Sequence, residues 1–123
     1  MPAYNNATPP LSLFPGDVGF SFSAEAFPSA NTAGLQFALP DPSGFPAQSR
    51  AVRWQTIFGS NPSAINIRLQ GASADVDAEY TDLDTSTATA GEARTVSGVR
   101  VKFLRIKLFS STGGSSLTAK MLP

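Results

Sequence analysis

From Arg50 onward the apolar positions of this chain recur at every second residue, the period of a strand with one face buried and the other in water. Val52, Trp54, Thr56 and Phe58 share a mostly apolar face, with Arg53 and Gln55 opposite. Ile65, Ile67 and Leu69 alternate with Asn66, Arg68 and Gln70. Between these segments, Gly59-Ser60-Asn61-Pro62 is turn chemistry and predicts a hairpin. Weaker runs follow at 78–83 and 93–96, and Ser97-Gly98 reads as another turn. In the segment from Val101 to Phe109, Leu104, Ile106 and Leu108 lie opposite Arg105 and Lys107, while Val101 and Phe103 fall on the other phase. A bulge near Phe103, or a strand buried on both sides at one end, would reconcile the two phases. Thr112-Gly113-Gly114-Ser115 then turns the chain into a strand with Leu117, Ala119 and Met121 on one side. No stretch carries a capped 3.6-residue apolar period. The pattern predicts an all-β protein built as an antiparallel β-sandwich.

The first fifty residues break this rhythm. Eight of the ten prolines lie there, with six of the nine phenylalanines: Phe14, Phe20, Phe22, Phe27, Phe37 and Phe45. Proline removes ladder donors, so only short strands are expected, at 18–22 and 35–39. The aromatics are too many for a solvated linker. This leader therefore needs a surface to cover it, on its own body or on a neighbouring subunit. The expected organisation is an extended N-terminal arm over 1–16 and one sandwich domain over 17–123, with leader strands at 17–49 and the core sandwich at 50–122.

Composition narrows the function classes. Nine basic and nine acidic residues cancel, which gives no basic excess for nucleic acid. Cysteine and histidine are both absent, which excludes disulfides, Cys/His zinc sites and Ser-His-Asp or Cys-His catalysis. No window approaches eighteen apolar residues, and the N-terminus has no basic region followed by an apolar run, so neither a membrane span nor a signal peptide is expected. No cofactor motif is present and no enzyme activity is expected. A neutral surface rich in Ser, Thr, Ala and Gly suits contact with protein.

The run RWQTIFGSNPSAINIRLQGA at 53–72, followed by YTDLDTSTATAGEARTVSGVRVKFLRIKLFSSTGGSSLTAKML at 80–122, resembles small structural proteins of tailed bacteriophages, which look like discoidin-type or jelly-roll sandwiches. Related sandwiches often carry a Gly-Ser-x-Asp-Gly turn and a tryptophan after the Leu-Gln strand. Here that region reads Gly71-Ala72-Ser73-Ala74-Asp75-Val76-Asp77, with Tyr80 in the tryptophan's place. The resemblance implies a virion component made in a host cytoplasm, most like a capsid decoration (cement) protein. Its implied partners are the major capsid protein or other virion proteins and further copies of itself, a trimer by analogy. Alternatives are a carbohydrate-binding module for host adsorption and a minor tail or baseplate component.

Three groups are candidate sites. Leu11, Leu13, Phe14, Phe20 and Phe22 are the expected anchors on a partner, because buried aromatic and apolar side chains dominate interface energy. Asp75, Asp77, Asp82 and Asp84, with Glu79, form the acidic cluster; the four aspartates are candidate calcium ligands, Asp82 and Asp84 by spacing on one strand face, against the plainer expectation of a solvated loop and a charged strand edge. Trp54 is expected in the core rather than stacked on a sugar. Arg100, Lys102, Arg105 and Lys107 are expected to point outward, paired with carboxylates.

Overall fold

Alternation of apolar and polar side chains gives each strand one face to bury, and two sheets meeting on those faces satisfy all of them at once. The computed structural model describes residues 11–13, 17–27, 30–39, 50–74 and 76–123. Among these, ten strands form an all-β sandwich with no α-helix. They are β1 (Leu11–Ser12), β2 (Gly19–Glu25), β3 (Thr32–Ala33), β4 (Phe37–Ala38), β5 (Arg50–Ser60), β6 (Ala64–Ala72), β7 (Thr81–Ser86), β8 (Ala93–Val99), β9 (Phe103–Thr112) and β10 (Ser115–Leu122). One sheet runs β1-β4-β9-β6-β7, with β3 also on β9 beside β4; the other runs β2-β10-β5-β8. Every pairing is antiparallel except β1 with β4.

The predicted hairpin between the segments around Trp54 and Ile67 does not form. β5 pairs with β10 and β8, β6 pairs with β9 and β7, and the two strands lie in opposite sheets. Two-residue periodicity reports that each strand buries a face, not which sheet it joins. The connections β5–β6 and β9–β10 are therefore arches from one sheet to the other. They lock together: the Ser63 amide and hydroxyl both donate to Thr112 O, at 2.8 and 3.1 Å. Gly114, at φ +82°, has room for no side chain, since a Cβ there would stand 2.9 Å from Pro62 N.

Bulges were placed wrongly by pattern alone. Ser97-Gly98 is no turn; β8 runs through it with a register shift and Gly98 at φ 72°, the left-handed conformation of a glycine bulge. The shift in β9 lies at Phe109 rather than Phe103, because Asn66 faces Ser110 while Ile67 faces Leu108.

The leader joins this body. Leu13, Phe22, Phe37 and Leu39 are buried in the same core as Trp54, Ile67, Leu104 and Met121. Phe27 stacks on Phe58 with ring centroids 5.8 Å apart. Ser21 is an extra residue in β2, placed by a register shift opposite Ala119 and Lys120. Its hydroxyl donates to Leu35 O at 2.8 Å and accepts from Ile106 N–H at 3.0 Å, joining the two sheets where β3 gives way to β4. Gly34 is required there: a Cβ would meet Ser21 O at 2.4 Å.

Candidate protein-binding face

The charged groups that looked most like a site are occupied with one another. In β7 a register shift at Leu83 sets Asp82 opposite Gln70 but Asp84 opposite Leu69. The two carboxylates therefore leave opposite faces of the sheet, contrary to the shared face expected of calcium ligands. Asp82 lies on the outer face and accepts from Arg68 Nη1 at 2.6 Å and Gln70 Nε2 at 2.9 Å. Asp84 points between the sheets and accepts from Trp54 Nε1 at 2.9 Å and Arg94 Nε at 2.7 Å. Burial alone would raise the Asp84 carboxyl, but hydrogen bonds from Arg94, Trp54 and the Thr85 amide outweigh it and hold it below its ordinary value. Asp82 is held low in the same manner: its desolvation is outweighed by Gln70 and Arg68. Asp77 pairs with Arg105, and Asp75 lies outside the described residues. Among the described residues no three acidic side chains converge on a point where an ion could sit.

Arg105 corrects a second expectation. Its position on β9 does face away from the core, opposite Gln70. Yet only 2% of it is exposed, because the turn after β6 folds over it. Its guanidinium lies 4.0 Å from the centre of the Tyr80 ring, donates to Gln70 Oε1 at 2.8 Å, and places Nη1 2.8 Å from Asp77 Oδ1. The Asp77 contact is a charge pair whose angle lies outside hydrogen-bonding geometry. Lys107 does remain on the outer face, 5.0 Å from the centre of the Phe109 ring that Arg68 also covers at 3.9 Å. Trp54 is 1% exposed and has no face to offer a sugar.

The expected anchors divide. Leu13 and Phe22 are core residues of their own chain, so they are not available to a neighbour: the sandwich itself supplies the surface the leader needs. Leu11 contributes backbone to the parallel pairing with Phe37, and residues 11–13 thereby belong to the body rather than to a separate arm. Phe14 lies outside the described residues, as do positions 1–10 of the proposed arm. Among the anchors whose side chains are described, Phe20 is the one placed for contact. The bulge at Ser21 turns it outward, and it stays 41% exposed.

Phe20 stands on the outer face of the four-stranded sheet, where the bare surface gathers. Register places Phe20 beside Lys120, Lys120 beside Gln55, Leu122 beside Arg53, and Thr118 beside Ile57. Val18 at 49% and Ile57 at 42% exposure add apolar area to the same face. A shallow trough of about 170 Å³ is lined by Val18, Arg53, Trp54, Gln55, Lys120, Met121 and Leu122. Small-molecule sites run to about 300–1,000 Å³, so this trough has the size for one or two protein side chains. Its lining holds two cations and no carboxylate. The Lys120 ammonium lies 5.9 Å from the centre of the Phe20 ring. The outward phase of Arg53 and Lys120 was visible in the alternation; that β5 and β10 are neighbours was not.

No helix among the described residues is long and apolar enough to cross a membrane. No family model matches the chain, and no curated protein does.

Proposed function

We propose that this chain is a structural protein that works by binding other protein surfaces, without catalysis, and that its setting is the one the sequence resemblance implies: a virion, as a decoration protein on the outside of a tailed-phage capsid. The observation that carries the binding part is the outer face of the four-stranded sheet, where Val18, Phe20 and Ile57 stand exposed around a shallow trough. Exposed apolar side chains gathered on one face among polar and charged ones mark a surface where proteins meet proteins. Protein binding through the sandwich face replaces binding through Leu13 and Phe22, which are spent on the chain's own core.

The test is localisation. An antibody raised against the folded protein, used for immunogold labelling of phage particles purified from the chain's source, is expected to decorate the capsid surface. Label on tail or baseplate moves the protein to that site within the virion. Particles that carry no label, from cultures in which the protein is made, overturn the virion reading. The double variant Phe20→Ser, Ile57→Ser is expected to fold normally and to lose most of the capsid label, since both side chains are exposed in the free chain.

A further inference from the structure

The trough has a complement on the opposite side of the same molecule. Between β6 and β7 the chain makes a single 3₁₀ turn, Asp77–Glu79, none of whose residues is buried. It carries two acidic side chains and is preceded by Val76, which is 52% exposed. Backbone hydrogen bonds shape the turn. Val76 N–H donates to Ala74 O at 2.8 Å, Glu79 N–H to Val76 O at 2.9 Å, and Tyr80, buried at its base, lies over Arg105 on the outer face of the six-stranded sheet. The turn is thus a knob with an apolar tip at Val76 and an exposed carboxylate at Glu79, while the Asp77 carboxylate beside it is engaged by Arg105. On the other sheet lies a shallow trough with an apolar rim at Val18, Phe20 and Leu122 and two cations, Arg53 and Lys120.

We propose that copies of this chain associate head to tail, the Val76–Glu79 knob of one seating in the Arg53/Lys120 trough of the next. This takes the sheet face described above as a protein-binding surface and names what fills it. Size, charge and polarity agree: about 170 Å³ receives a valine and a glutamate side chain, not a domain. The trough cannot serve a symmetric dimer that pairs it with its own copy, because four cations would meet and like charges across an interface are strongly disfavoured. Knob and trough belong to opposite sheets, so the contact is heterologous and its products are rings or open chains, not closed twofold dimers.

Sedimentation velocity on the full chain, over a range of concentrations and at low and high salt, tests it. Wild type is expected to grow in size with concentration, and less so at high salt as the exposed charges are screened. Glu79→Lys and Lys120→Glu alone are each expected to weaken association about tenfold or more. Both changes in one chain restore opposite charges across the contact and are expected to restore association. Circular dichroism on each variant separates loss of contact from loss of fold. A double variant as dissociated as either single one overturns the proposal, as does a twofold dimer that neither change weakens. A wild type that stays monomeric throughout but still labels particles overturns it too, and leaves the protein-binding reading standing.

Discussion

Asp84 is a single carboxylate that ties the two sheets together, accepting from Trp54 and Arg94 of one sheet while its backbone belongs to the other. Nearby, Ser86 donates to Glu92 at 2.6 Å and Glu92 pairs with Arg94 at 3.2 Å, so the polar margin of the core is fully employed. Hydrogen bonds that favour the charged form make the folded protein a stronger acid at Asp84 than the unfolded chain is. The stability this supplies is complete above the ordinary aspartate range and drains away as pH falls through it toward the lower folded value. Asparagine keeps an acceptor for Trp54 but cannot titrate. Asp84→Asn is therefore expected to be less stable than wild type at pH 7 and to lose less on acidification to about pH 3. Urea unfolding followed by Trp54 fluorescence measures both, and equal acid sensitivity in the two proteins would count against the assignment. Asp82, held low by Gln70 and Arg68 at the outer face, accounts for the acid loss that persists in the variant.

Among elements, β2 shows how one added residue converts a strand into a joint. Without the extra residue at Ser21, Phe20 and Phe22 would share a face; with it, Phe22 enters the core, Phe20 turns out, and the Ser21 hydroxyl takes the Ile106 amide that no strand reaches. Ser21→Ala leaves that buried N–H without its acceptor and is expected to cost about 1–3 kcal/mol, read as a lower urea midpoint at unchanged slope. A loss within error would place the amide's partner elsewhere. The strands themselves were legible because alternation depends only on each side chain's burial: Val52/Trp54, Ile65/Ile67/Leu69 and Leu117/Ala119/Met121 all face inward as their pattern implies. The bulges were not legible, since inserting a residue at Ser21, Leu83 or Phe109 leaves no mark in composition while reversing every face beyond it. For the same reason the spacing of Asp82 and Asp84 suggested one face and the fold delivered two. Arg105 escaped notice differently: its phase was right, and a turn from another part of the chain covers it.

At the scale of the whole molecule, Phe22, Phe27 and Phe37 of the leader pack within the chain's own sandwich, and the assembly proposed above rests on a sheet face rather than on an arm. The face rests on partners far apart in sequence. Gly19 pairs with Met121 and Leu117 with both Glu25 and Phe58, so β10 is the interior strand that β2 and β5 both require. A fragment comprising residues 1–114 is expected to remain unfolded, without the blue-shifted fluorescence of a buried Trp54, and to refold when a peptide spanning 115–122 is supplied; a folded fragment would show that β2 and β5 pair without it. This topology has a consequence for biosynthesis. During translation, a hundred residues with greasy strands emerge before their keystone leaves the ribosome, and each nascent chain waits with two sheet edges bare. Crowded polysomes would then bring such chains together at the very stage when a neighbour's β10 could be taken in place of one's own, so the shorter the wait for residues 115–122, the more surely each molecule keeps to itself.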